Sequence, residues 1–396
     1  MRIAITGATG LLGRNLLFEI IKQNLKSIDS VKIFLLGRRT GDKSLQERIE
    51  EILSEDGSFY YGCHDTRSVL GSIRTMEMDL VEEKLRLSQE DYKELKAGKI
   101  DFFFHVAALT DFRSTPNVIK SLYYTNVYGT SQILHLVCSL DVKEFCYVGS
   151  AYSCGKTYGV IQPDYFNPIQ HFRNPYEKTK VEAEQLVREY EKKTGRNCRY
   201  FRPSTICGRL IEKPVGAINK FDVFYSWAAW FLRMKKKAME ERGEDGSRAV
   251  NLGVRICFSK ESGLNIVPAD YGAKVIYNVS LRQEPGKSFH VVSREETKHI
   301  LYIPLMLNKL QITGCRQVDE IPEVQSRLEK FYYKTAGWIF TPYITEKPML
   351  FDVSNIETIE KLCGFYPPPV NKDNFNLLLD YAHEREYGLA DKVSLP

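Results

Sequence analysis

Met1-Arg2-Ile3-Ala4-Ile5-Thr6-Gly7-Ala8-Thr9-Gly10-Leu11-Leu12-Gly13-Arg14 opens the chain. Five residues of mostly apolar character read as a buried strand, the glycines as a tight turn, and Leu11 to Lys26 as a helix. A helix that starts on a glycine turn presents free backbone N–H groups and the positive end of its dipole, which together bind a pyrophosphate. Gly7, Thr9, Gly10, Leu11, Leu12 and Gly13 are therefore candidate phosphate contacts. The spacing GxxGxxG differs from the GxGxxG of ordinary dinucleotide folds.

Outward from this turn, apolar runs alternate with amphipathic ones. Strands are expected at Val31–Leu36, Arg74–Met78, Ile100–His105, Glu144–Gly149 and Cys198–Arg202. Between them, helices are expected at Lys43–Ser54, Ser88–Ala97, Asn117–Leu140 and Glu177–Lys193, with Ser88 and Asp91 as a helix-starting pair. Continuous apolar strands between helices imply an α/β fold, a doubly wound parallel Rossmann sheet covered on both faces. After Arg202 the rhythm loosens. The expected division is 1–202 for the nucleotide-binding domain, 203–253 for a substrate-domain insertion, 254–285 for a return to the sheet, and 286–396 for a smaller, mainly helical C-terminal substrate domain.

At the end of the second strand, where an Asp or Glu would select NAD, the chain has Gly37-Arg38-Arg39. A guanidinium there binds a 2′-phosphate, so NADPH is the expected cofactor, and Arg14 would add a second positive group. A solvated basic turn is the plainer reading. Asp79, before Leu80, either accepts from the adenine amino group or caps a helix. Ala107 and Ala108 end the fourth strand with side chains small enough for a cofactor to approach, and His105 beside them reads as a packed wall residue.

A Tyr followed four residues later by Lys occurs at Tyr92/Lys96, Tyr152/Lys156, Tyr176/Lys180 and Tyr343/Lys347. Tyr92 precedes a strand, Gly155 breaks any helix joining Tyr152 to Lys156, and Tyr343 lies far outside the nucleotide domain. Tyr176 and Lys180 begin a good helix after the fifth strand, so that the ammonium would favour phenolate character and orient a ribose. Ser150 closes that fifth strand. In the reductive direction Tyr176 would donate a proton to a substrate oxygen and Ser150 a hydrogen bond. Asn126 would hold a water behind Lys180 or make an interhelical amide contact, and the Pro203-Ser204 loop would meet the nicotinamide carboxamide.

Composition bounds the alternatives. The 396 residues are 43% hydrophobic with a net charge of +5, too weak a field to argue for nucleic acid. Nine cysteines without a CxxC suggest reduced thiols in a cytoplasm. No stretch reaches the roughly 18 to 20 apolar residues of a membrane span, no signal peptide is expected, and no HExxH or Cys/His cluster suggests a metal. Phe221–Lys237 reads as a tunnel wall, a peripheral membrane-surface helix, or a buried helix of the small domain.

These residues resemble an extended short-chain dehydrogenase/reductase through TGATGLLG, HVAA, NVYGT, Ser150, YEKTK and the RPS loop, over roughly residues 1–280. Asp79-Leu80, Leu85–Tyr92, Asp101–Ala108 and Ile266–Tyr271 narrow the resemblance to the thioester reductase and fatty acyl reductase group, the male-sterility-type NAD-binding family. Arg86 stands where that group usually has glycine, and Gly149-Ser150 replaces its commoner Ser-Thr. The resemblance implies NADPH-dependent reduction of an acyl-CoA or acyl-carrier-protein thioester, or of the derived aldehyde. It also implies homodimers paired through Asn117–Leu140 and Glu177–Lys193. A dehydrogenase or epimerase acting on a sugar nucleotide, steroid or other ketone stays open, as does a dinucleotide-sensing protein.

Overall fold

Successive residues of the first strand enter opposite cores, Ile3 and Ile5 one and Ala4 the other. The same alternation holds in its neighbours, with Ile33 and Leu35 against Phe34 and Leu36, and Phe102 and Phe104 against Phe103. Strands that are apolar on both faces cannot sit at a surface, and they stack as the interior of a layered sheet. The computed structural model describes residues 1–63, 66–243, 248–282 and 286–389.

Seven strands form that sheet: β1 (Arg2–Thr6), β2 (Lys32–Gly37), β3 (Ile73–Glu77), β4 (Ile100–His105), β5 (Val142–Val148), β6 (Cys198–Pro203) and β7 (Ser288–Val291). Their order is β7-β6-β5-β4-β1-β2-β3, and every pairing is parallel. The order reverses between β1 and β4, which opens a crevice at their carboxyl ends where such folds hold a ligand. One face is covered by α1 (Leu11–Asn24) packed on α4 (Ala269–Ser280), the other by Gly129–Cys138 and α2 (Pro175–Thr194).

The expected strands and helices appear within a few residues, with one informative difference. The helix read as Asn117–Leu140 starts at Pro116 and carries a π-helical turn at Tyr123–Tyr128 before resuming at Gly129. A Cβ on Gly129 would lie 2.9 Å from Cβ of Leu80, so this glycine lets the helix close on the loop after β3. Ser88 does cap its helix, accepting from the Asp91 N–H at 3.0 Å.

The domain division also needs correcting. Within 254–285, Ile266–Pro268 pairs with Thr205–Cys207 in a separate two-stranded ladder. The strand that rejoins the main sheet is β7, which lies in the segment assigned to the C-terminal domain. Ser288-Phe289-His290-Val291 is too short and too mixed to announce a core strand in sequence. Helix Ser354–Cys363, from the same segment, sends Ile356 and Ile359 into the core around α1 and α4. The boundary placed at 285, and residues 390–396 of the C-terminal segment, lie outside the described residues.

A third core gathers the smaller domain from α3 (Phe224–Glu240), helices His299–Lys309 and Lys372–Glu384, and α5 (Ala336–Ile344). Helix α3 settles the three readings of Phe221–Lys237. Phe224, Tyr225, Trp227, Phe231 and Leu232 are buried, while Ser226, Arg233, Lys236 and Lys237 are exposed. The apolar face a membrane would need is turned inward, and its first turn borders the cavity described below. Among the described residues no helix is long and apolar enough to cross a membrane. Among the described residues no cysteine is paired in a disulfide.

Candidate active site

The glycine turn is shaped by close approach. Gly7 has φ +79°, and a Cβ there would meet Ala107 N at 2.7 Å and Ala107 Cα at 2.8 Å. A Cβ on Gly13 would fall 2.1 Å from Gly7 O. Gly10 is the N-cap of α1, so the N–H groups of Leu11, Leu12 and Gly13 form its first turn, where no carbonyl of the helix itself can accept from them. This cradle at the β1/β4 crevice fits the pyrophosphate of a dinucleotide. Thr9 closes it, its carbonyl accepting from Asn219 Nδ2 at 3.3 Å. Ala107 and Ala108 lead out of β4 into the same crevice, and the Ala107 N–H donates to Thr6 Oγ1 at 3.3 Å.

Arg38 and Arg39 stand exposed just past β2. Arg48, which the sequence reading missed, donates to Arg38 O at 2.8 Å, and burial together with the nearby Arg38 charge lowers the pKa of its guanidinium. Positive groups crowded this way fit an anion between them. Arg14 does not join the group. It pairs with Asp56 at 3.4 Å, and Asp56 is also bound by the fully buried Arg209. Asp79 caps no helix. Its Oδ1 accepts from Val81 N at 3.2 Å in a local turn, and Leu80 packs on Gly129.

Ser150, Tyr176 and Lys180 converge at the ends of β5 and α2. Asn174 starts α2 by accepting from Glu177 N at 3.0 Å, with Pro175 preset in the first turn. Burial pushes the Tyr176 phenol up to about 12, and the hydroxyls of Thr110 and Ser150 pull it the other way. Ser150 Oγ accepts from Tyr152 N at 3.2 Å, which leaves its own proton to donate. Lys180 is almost fully buried. Desolvation brings its ammonium down to about 8 against the pull of Glu184. Lys180 Nζ donates to Val148 O at 2.8 Å and lies 4.9 Å from the Tyr147 ring centre. The expected lowering of the phenol by Lys180 is thus absent here, because burial dominates and the ammonium is drawn to the end of β5.

Asn126 sits in the π-helical turn with its amide fully engaged. Leu109 N donates to Oδ1 at 2.7 Å, and Nδ2 donates to Leu109 O at 3.0 Å and Thr179 Oγ1 at 3.1 Å. The amide contact is the arrangement observed, and it fixes the loop after β4 that delivers Thr110. His105 is a wall residue, bonded to Thr6 at 2.8 Å and Thr130 at 3.1 Å and held neutral by burial, with its pKa near 3. Pro203 ends β6 and Ser204 follows it, but Ser204 is committed elsewhere. Its N–H donates to Val291 O at 3.2 Å and its hydroxyl to Asn265 Oδ1 at 2.7 Å, so neither is free for a carboxamide.

Phe112 meets the Tyr176 ring edge-on, with centres 5.4 Å apart. Behind it lies an enclosed apolar cavity lined by Phe112, Tyr152, Trp227, Leu264, Phe340 and Tyr343 among others, with ≈ 30 Å³ of free space. Tyr343, set aside in sequence because it is distant along the chain, is brought here by α5. Its ring packs on Phe112 at 5.8 Å and Tyr152 at 5.6 Å. Thr110, Phe112 and Arg48 carry no motif of their own, and the Tyr343/Lys347 spacing does not point to the role Tyr343 has here. The Leu109–Phe112 run directly after HVAA was the available signal for two of them.

Residues 5–276 match an NAD-binding family model described as "Male sterility protein". The "Fatty acyl-CoA reductase 1" of Rattus norvegicus is 28% identical over 247 residues, 56% of this chain and 46% of that protein. The chain therefore spans about half the length of the curated relatives it matches. The terminal R domain of the myxalamid PKS-NRPS biosynthetic pathway superposes with a TM-score of 0.74 at 22% identity, over 98% of this chain and 91% of that one. A thiolation-reductase di-domain from an archaeal non-ribosomal peptide synthetase gives 0.63 at 20%, with the same coverage. At these identities the two structures establish the fold.

Proposed function

The chain belongs to the male sterility protein family of NAD-binding domains, and on that premise we propose that it is an NADPH-dependent oxidoreductase that reduces an acyl thioester, on CoA or a carrier protein, to the aldehyde. A bound nicotinamide would supply the hydride. Tyr176, protonated at neutral pH, gives its proton to the carbonyl oxygen, and Ser150 and Thr110 donate to the charge that develops there. The resulting hemithioacetal collapses with cleavage of the C–S bond, passing a proton to the departing sulfur and leaving aldehyde and thiol. We assign Lys180 to the ribose hydroxyls, the α1 turn to the pyrophosphate, and Arg38, Arg39 and Arg48 to the 2′-phosphate that distinguishes NADPH.

The observation that carries the substrate class is the ring-lined cavity behind Phe112, whose ring packs on Tyr176. Its hydroxyls are spent internally: Tyr152 with Thr205 at 3.3 Å, Tyr302 with His299 at 3.1 Å, and Tyr343 with Glu177 at 2.8 Å. Trp227 Nε1 is the exception, buried without a partner. A sugar would need several unpaired donors and acceptors in such a wall, whereas a hydrocarbon chain needs none.

NADPH oxidation is the test, read with acyl-CoAs, an acylated carrier protein, aldehydes, ketones and sugar nucleotides. Thioester turnover reduced about 100-fold or more by Tyr176→Phe is the expected result. Turnover of ketones or sugar nucleotides alone, or purification with tightly retained oxidised cofactor, overturns it in favour of a dehydrogenase or epimerase. Cysteines without a disulfide among the described residues suit a reducing compartment such as the cytoplasm. Exposure of Ile119, and of Tyr123 and Tyr124 where the π-helical turn begins, suits a homodimer, which sedimentation would detect.

A further inference from the structure

Tyr343 occupies two sites at once. Its ring is a wall of the apolar cavity, between Phe112 and Tyr152. Its hydroxyl accepts from Asn174 Nδ2 at 2.6 Å and donates to Glu177 Oε1 at 2.8 Å. Asn174 and Glu177 flank Tyr176 in sequence, and they are the two ends of the hydrogen bond that caps α2. Glu177 is fully buried, bound also by the Arg173 N–H at 2.9 Å, and Arg173 lies 5.5 Å from the centre of the Tyr343 ring.

The cavity's ≈ 30 Å³ has room for only a few water-sized spheres, so a long hydrocarbon chain enters only if these rings part. Movement of the Tyr343 ring is movement of its hydroxyl, and the hydroxyl is fastened to the cap of the helix that carries Tyr176.

We propose that Tyr343 is a positioning residue that couples filling of the acyl cavity to placement of Tyr176, with Phe340, on the same helix α5, setting how long a chain fits. The inference rests on the thioester-reductase reading and extends it to a chain-length selector in the smaller domain. Tyr343→Phe keeps the wall and removes the link. Phe340→Leu keeps the link and enlarges the space.

The experiment is steady-state NADPH oxidation with saturated acyl-CoAs of increasing length, for the wild type, Tyr343→Phe and Phe340→Leu, with thermal melts to confirm folding. Tyr343→Phe should lower kcat about tenfold at every length while KM and the length preference hold. Phe340→Leu should move the preference toward longer chains. A Tyr343→Phe enzyme with wild-type kcat overturns the coupling. One whose losses fall in KM and scale with chain length leaves Tyr343 a wall only, which also overturns it. A wild type inactive on every thioester removes the reductase reading and this inference together, whereas an active wild type with either variant result above removes the inference alone.

Discussion

Asn126 and Leu109 face each other through a reciprocal pair of hydrogen bonds, N–H to Oδ1 at 2.7 Å and Nδ2 to the carbonyl at 3.0 Å. A side-chain amide thus substitutes for a neighbouring strand just where the chain leaves β4 and has no strand to pair with. The next residue is Thr110, whose hydroxyl faces the Tyr176 phenol. The π-helical turn gives Asn126 its position, and extra turns of this kind recur at functional sites.

Asn126→Asp keeps the shape and removes both Nδ2 donations, to Leu109 O and Thr179 Oγ1. A carboxylate facing a carbonyl costs about 1–3 kcal/mol, so kcat should fall about tenfold or more as the loop carrying Thr110 loosens. NADPH affinity, read by fluorescence titration, should stay within about twofold. Equal losses in both would show that the clamp serves the whole fold and not the reacting end.

Arg38, Arg39 and Arg48 assign the cofactor. Arg38→Glu places a carboxylate where a 2′-phosphate would bind and where NAD-selective folds carry their acid. NADPH kcat/KM should fall about 100-fold while NADH changes by less than about threefold. Parallel losses for both cofactors would remove these arginines from 2′-phosphate recognition.

Gly7→Ala tests the cradle itself. The substitution meets backbone at 2.7 Å and 2.8 Å in a left-handed conformation, with no flexible neighbour to yield. It should cost at least about 2 kcal/mol in urea unfolding and abolish measurable dinucleotide binding. Near-normal stability with binding intact would mean that β1 and β4 can separate here.

The sheet was legible because its central strands are short runs apolar on both faces, set between longer amphipathic segments. Ser150, Tyr176 and Lys180 were legible because a Tyr and a Lys one helical turn apart, after a strand ending in Ser, have a local chemical meaning. β7 was not, since four residues with a histidine acquire their identity only by pairing with Cys198–Pro203. Tyr343 was not, since its meaning comes from Asn174 and Glu177, far away in sequence. Arg14 was misplaced for a related reason, because Asp56, which claims it, sits in a π-helical turn, Leu53–Gly57, with no signature in sequence.

Lys180 gives a prediction in pH. Burial holds its ammonium at about 8, below the ordinary 10.5. Between those values the unfolded chain binds more protons than the folded one, so stability rises with pH through this window. Above 10.5 both states carry a neutral amine and the contribution is fully present. As pH falls it is lost, and below about 8 the fold carries a buried charge at a cost on the order of 3 kcal/mol. Lys180→Met removes the titration. In urea unfolding of the cofactor-free protein, the variant should exceed the wild type in stability most at pH 7. The difference should shrink steadily to little by pH 10.5, with other titrating groups cancelling in the subtraction. A difference that does not change with pH would mean that Lys180 is hydrated in solution and that its placement under Val148 O is not the resting state. The same variant should be catalytically silent at every pH, which separates a lysine needed for the reaction from one that only burdens the fold.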